Sequence, residues 1–182
     1  MTIKEMKESF VPENRLFSVK NRDVIPLSEE LALKINCYAF AIGCLCPSET
    51  GEDYVPGFTE NSPYESQEDL TQKVILDLTN LGRSFRKLSL FGPRDLKENE
   101  YLIKLFYTQP SKDMPCGDFH FLRQNKETKI WYHKPGFYNQ PVVASIVNSS
   151  ETILDPDELV FVDQETKKPY IYYPICYFAI EE

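Results

Sequence analysis

DFHFLRQNKETKIWYH, residues 118–133, is the stretch whose reading decides the fold. Two strand-forming runs, 118–124 and 129–134, flank the polar tetrapeptide Asn125-Lys126-Glu127-Thr128, which is the pattern of a β-hairpin. Pro135-Gly136 closes it. Counting outward from a four-residue turn, Gln124 faces Lys129, Leu122 faces Trp131, and His120 faces His133. Side chains alternate along a strand, so both histidines share one face. Direct partners place their Cβ atoms roughly 4.5–5.5 Å apart. No other histidine occurs in the chain. One imidazole can therefore hydrogen-bond the other and fix its tautomer. Two charged rings at that distance repel, so at least one stays neutral near neutral pH. A general base has to be in that state. Trp131 lies on the same face, where it either lines a substrate groove or belongs to the core. Asp118 opens the strand on that face and either contacts a histidine or sits at the rim.

Working outward, the apolar residues Leu70, Val74, Ile75, Leu78 and Leu81 recur at helical spacing. Ser66-x-x-Asp69 resembles a capping box and Gly82 supplies a stop, so the spacing predicts a helix over 66–81. Ser28 through Gly43 also reads as helical, with Ser28 and Asn36 both able to cap a start. Whether this is one helix or two, Asn36 marks the boundary. Residues 47–65 are a loop rich in proline, glycine and acids, and long enough to carry function. Glu100–Tyr107 is apolar on both faces, like a central strand. Val142–Val147 is a short apolar stretch inside acid-rich loops. Tyr170–Ile180 is a last strand, bent or placed at an edge by Pro174. Residues 1–25 read as an N-terminal arm.

Helices followed by antiparallel strands define an α+β chain, with N-terminal helices packed on an antiparallel sheet. Its 182 residues suit a single domain, 1–182, around a core at 36–136. The net charge of −8 and the lack of a Lys/Arg block exclude nucleic acid and anionic membranes as natural partners. No stretch approaches the roughly 18 apolar residues of a membrane span. The opening MTIKEMKESFVPEN has no apolar signal core, so a cytoplasmic location is expected, with signal-independent secretion left open. Five cysteines without a framework imply reduced thiols. Cys44-x-Cys46 has no matching second pair, so no metal is expected, and nothing resembles a cofactor cradle. Oligomeric state is not legible.

A base needs a nucleophile, and Cys37 is the best placed of the five cysteines. A helix N-terminus favours a thiolate through its dipole and unpaired N–H groups. The same groups can hold an oxyanion, and Asn36 adds an amide beside them. Cys44 and Cys46 lie past the helix stop, Cys116 sits in a turn, and Cys176 in an apolar strand.

These residues resemble the NlpC/P60 group of papain-like cysteine hydrolases. Asn36-Cys37-Tyr38-Ala39 corresponds to the nucleophile motif, His120-Phe121-Leu122 to the base, and Tyr132-His133-Lys134 to the third position. The likeness spans Asn36 to Gly136. It implies a papain-like fold with Cys37 as nucleophile, His120 as base and His133 as its orienter. Asn36, Tyr38 and Trp131 would surround the oxyanion and the substrate. The implied activity is hydrolysis of an amide or peptide bond in a peptide or protein substrate, without a cofactor. The segment between Cys37 and His120 is long for the group, and no wall-binding repeat is present. With no export signal expected and an acidic charge, a cytoplasmic target, or a host cell reached by specialised secretion, is favoured over peptidoglycan. The alternative is a non-enzymatic protein-interaction module on the same scaffold.

Overall fold

The computed structural model of the chain describes residues 2–20, 23–50, 53–112, 114–136, 139–144, 155–157, 159–162 and 167–182. In chain order these form helices α1 (Ile3–Glu8), α2 (Glu29–Ala32), α3 (Cys37–Ile42) and α4 (Gln67–Asn80). Strands follow: β1 (Phe85–Leu88), β2 (Glu100–Thr108), β3 (Asp118–Gln124), β4 (Trp131–His133), β5 (Val142–Val143), β6 (Leu159–Val162) and β7 (Pro169–Glu181). The strands make one antiparallel sheet of order β1-β7-β2-β3-β4-β5, with β6 attached to β7. The chain is thus a mixed α/β protein with an antiparallel sheet and few helices. The last and longest helix, α4, lies well inside the chain, so the helices are not confined to the N-terminus as the sequence suggested.

β2 is buried at every residue, as its two apolar faces require. One face carries Ile103, Leu105 and Tyr107, which pack with Phe121 and Phe178 against α3 and α4. The other carries Leu102 and Phe106, which pack with Leu122, Trp131 and Tyr177. α4 starts where the capping pattern places it: the Ser66 hydroxyl accepts from the Asp69 N–H at 3.3 Å. The helix buries Leu70, Val74 and Leu78. Ser28–Gly43 resolves into two helices, α2 and α3, with Asn36 capping the second. The N-terminal segment contributes Met6, Leu16 and Phe17 to the buried interior.

At Pro174 β7 pairs with β2 alone among the described residues, so the proline sits on an open edge, one of the two placements expected; only Tyr177–Ile180 are flanked on both sides, by β2 and β1. Opposite Leu105/Phe106 its register slips by one residue, so Cys176 and Pro174 face adjacent β2 residues. Such a bulge reverses which face later side chains occupy. Cys176, Phe178 and Ile180 therefore pack in the helical layer, while Tyr172 belongs to the opposite layer with Trp131. β1 and β6 escaped the sequence reading. Each has four residues, and β1 carries two charged residues in that span. Of the predicted stretch 142–147, β5 covers 142–143, and 145–147 lie outside the described residues.

β3 has the predicted bounds, but the hairpin register differs. Arg123 pairs with Tyr132 and Gln124 with Trp131. Asn125 causes the change. Its side-chain oxygen accepts from the N–H groups of Glu127 at 2.9 Å and Thr128 at 3.0 Å. Its own N–H donates to the Ile130 carbonyl at 2.9 Å. The turn therefore closes one residue later than counted, across Asn125 and Ile130, with Lys129 in the left-handed region at φ 60°. His120 and His133 are diagonal rather than direct partners. The offset is even, so they keep a common face; an odd one would have separated them.

Asp77 of α4 has no exposed surface. It accepts from the Gly57 N–H (2.7 Å), the Thr59 N–H (3.1 Å), the Thr59 hydroxyl (2.7 Å) and the Tyr38 hydroxyl (3.3 Å). One carboxylate thus ties the 57–59 loop and α3 to α4. Asp77→Ala leaves several buried donors without an acceptor and should cost about 3 kcal/mol. Urea denaturation measures this, and an unchanged midpoint would refute the clamp.

Candidate active site

α3 is a single short stretch of six residues, too short to hold itself together. Both of its ends are fixed from outside. At the start, the Asn36 side-chain oxygen accepts from the Tyr38 and Ala39 N–H groups at 3.0 and 3.1 Å. The Asn36 amide donates to the Tyr54 carbonyl at 2.7 Å, binding the cap to the 47–65 loop. At the far end, Gly43 turns left-handed at φ 75°. The Arg123 guanidinium stacks 3.6 Å above the Tyr101 ring and donates to the Ala41 carbonyl. The Tyr101 hydroxyl donates to the Ile42 carbonyl at 2.8 Å. Cys37, the first residue of α3, is thereby held in place.

β3 and β4 pair at Arg123–Tyr132 and Gln124–Trp131, and the ladder between them ends there. His133 instead pairs with Val142 of β5. Continued by register, the ladder would set Phe121 opposite Lys134. Near that gap the Phe121 backbone lies close enough to the Cys37 sulfur to favour its ionised form. Phe121 turns its ring to the helical side, stacked on Tyr38 at 4.6 Å. His120 consequently points to the other face, where Phe161 and Tyr172 lie 4.9 and 6.2 Å from its ring. Its Nε2 is 2.8 Å from Nδ1 of His133. That bond leaves His120 Nδ1 for a second partner. A groove of about 440 Å³ brings these elements together, lined among others by Asn36, Cys37, Asp118, His120, Phe161 and Tyr172.

Burial governs the electrostatics. It pushes the Cys37 thiol up to about 12, and the Asp118 charge adds to this. The Phe121 and Tyr38 backbones and the Lys134 charge act the other way. Burial also depresses both imidazoles, His133 to about 4, and His120 further under the added influence of His133. Both rings are neutral at pH 7. Asp118 is raised by burial and accepts from the Tyr172 hydroxyl at 2.6 Å. The sequence anticipated a helix start that lowers the thiol. That expectation fails because Cys37 is only 5% exposed and burial outweighs the help of the nearby backbone.

Of the residues singled out from sequence, Asn36, Cys37 and His120 meet in the groove, and His133 stands directly behind His120. Tyr38 turns its side chain away, with its ring on Phe121 and its hydroxyl on Asp77. Trp131 is core and not groove: it is fully buried beside Tyr177 at 6.1 Å. Asp118 contacts Tyr172 rather than a histidine. The sequence reading missed Phe161 and Tyr172, which reach the groove through an unrecognised strand and a bulge. It also missed Lys134, whose position next to His133 was a usable signal. All five cysteines are free thiols, and Cys116 is the exposed one. Among the described residues no His, Cys, Asp and Glu side chains group as a metal site, and no helix is long and apolar enough to cross a membrane. In comparisons with known proteins, the chain matches no family model, no curated protein and no solved structure.

The depressed histidines make stability depend on pH. Folded, each is less basic than in the unfolded chain, where the value is about 6.5. Below that pH the unfolded chain binds more protons, so stability falls as pH drops from 6.5 toward about 4, the folded value of His133. Each proton taken up contributes a slope of about 1.4 kcal/mol per pH unit. Melting of the wild type should drop across this window, and His120→Leu/His133→Leu should flatten the drop. Equal slopes in both proteins would contradict the buried neutral pair.

Proposed function

We propose that this protein is a cysteine hydrolase acting on an amide or peptide bond through Cys37, His120 and His133. The observation that carries the reading is the shared groove: a fixed cysteine at a helix start and a histidine already hydrogen-bonded from behind by a second histidine. The arrangement resembles that of papain-like hydrolases of the NlpC/P60 group, and we read the fold as a variant of theirs.

The roles follow from the proton positions. His120 carries its proton on Nε2 and donates it to Nδ1 of His133, so Nδ1 of His120 has the free lone pair. The Cys37 S–H gives its proton to that nitrogen, and the thiolate attacks the substrate carbonyl carbon. The developing oxyanion meets the Cys37 N–H, for which no acceptor exists among the described residues. The imidazolium then protonates the leaving amine, whose C–N bond breaks. Water, deprotonated by His120, releases the acyl group and restores the thiol. His133 holds the ring and stabilises its charged form. The open groove suits a peptide or a protein side-chain amide, and we favour an intracellular target.

One observation favours the rival reading of a binding module on this scaffold: the Cys37 thiol stands at about 12 and is not ionised without help. A cysteine-directed electrophile separates the two. Cys37 should be labelled in preference to the exposed Cys116 at pH 7, and Cys37→Ala should lose that label. His120→Ala should slow labelling at pH 7 by about 10²-fold or more, with recovery at high pH, as loss of a general base predicts. His133→Phe should lower the rate about 10-fold. Labelling that survives Cys37→Ala would end the assignment. Incubation of wild type and Cys37→Ala with cell lysate and with a peptidoglycan digest, read by mass spectrometry, identifies the bond cleaved. Release of wall peptides by the wild type alone would overturn the intracellular preference.

A further inference from the structure

Lys134 follows His133, and its side chain is fully buried. Its Nζ donates to the Gly136 carbonyl at 2.7 Å, and among the described residues that is its one hydrogen-bond partner. Among the described residues no carboxylate forms an ion pair with it, whereas the other buried lysine, Lys104, has Asp155 at 2.9 Å. A buried ammonium without an anion is strongly disfavoured. Cys37 has the converse problem. It is buried, Asp118 opposes its ionisation, and the Lys134 charge favours it. The coupling is mutual, since the Cys37 charge favours the charged form of Lys134. The hairpin register explains why they meet. Lys134 falls opposite Phe121 by register, and the Gly136 carbonyl that holds its Nζ belongs to a residue lining the groove that Cys37 also lines.

We propose that Lys134 is the counter-ion of the Cys37 thiolate, a positioning residue that acts through Cys37 and touches no reacting bond. This rests on the catalytic reading of Cys37. When the thiol proton passes to Nδ1 of His120, the thiolate forms beside an ammonium that keeps its own three protons. Each buried group supplies the charge that the other lacks. The side chains that act on the sulfur are Lys134, which favours the thiolate, and Asp118, Tyr64 and Tyr172, which do not, while His120 lines the same groove. The ammonium itself has been brought down to about 8 by burial, so its support weakens as the pH rises past that value.

The test is the pH profile of Cys37 alkylation by iodoacetamide, followed by mass spectrometry, in wild type, Lys134→Gln, Lys134→Met and Lys134→Arg. Glutamine keeps a donor for the Gly136 carbonyl and removes the charge. Methionine removes both and relieves a buried charge, so it should fold even if glutamine does not. Either neutral variant should move the profile up by about one pH unit, making alkylation at pH 7 about tenfold slower, while Lys134→Arg stays nearer the wild type. A neutral variant that melts like the wild type and keeps its profile would overturn the proposal. Its failure is distinguishable from failure of the catalytic reading. In the first case wild-type Cys37 is selectively alkylated and indifferent to Lys134; in the second it is not selectively alkylated at all.

Discussion

The site depends on where the β3–β4 ladder stops. Two residue pairs hold the strands together next to the turn, and beyond them the strands part. Had the ladder continued, Phe121 and Lys134 would have bonded each other and the sheet would be closed at that point. Instead the two histidines bridge the gap through their rings. A cysteine on one side of a sheet and histidines on the other can share a groove only if the sheet opens between them. The cap at Asn36 and the Arg123–Tyr101 stack at the far end of α3 aim the cysteine into that opening.

Burial sets the chemical character of the site. The thiol, both imidazoles, the Asp118 carboxyl and the Lys134 ammonium are each pushed toward neutrality, because a low-dielectric setting penalises whichever form is charged. A preformed thiolate–imidazolium pair is not the resting state that these surroundings favour. In the proposed mechanism, proton transfer from Cys37 to His120 would leave the total charge of the pocket unchanged and create two opposite charges in one groove. That costs less than ionising either group alone, since each new charge is stabilised by the other.

Much of this was legible in the chain. The 3.6-residue spacing of Leu70, Val74 and Leu78 placed α4, and the doubly apolar run at 100–107 placed the central strand. Asn36 was recognisable as a helix boundary because few residues cap so well. The shared face of the histidines survived a wrong register because alternation depends only on parity. The register itself was not legible: it turns on a side-chain-to-backbone turn at Asn125 that competes with the simple count. Trp131 was ambiguous because face assignment does not say how deep the face is buried. Tyr172 and Phe161 were hidden for a different reason. A bulge at Pro174–Cys176 reverses the alternation along β7, and no periodicity within one strand announces that.

Lys134 shows how a local rule can fail informatively. A buried lysine directly after β4, next to a buried histidine and with no acidic partner among the described residues, conflicts with the usual exposure of lysine on a hairpin. Such conflicts concentrate at sites where stability is given up for chemistry. Burying an unpaired ammonium and an unpaired thiol in separate places would be costly twice. On the proposed reading, placing them in one groove would let a single proton movement, from the thiol to His120, turn both liabilities into an ion pair. The same gap that interrupts the sheet's hydrogen bonding is therefore the place where its buried charges can be reconciled.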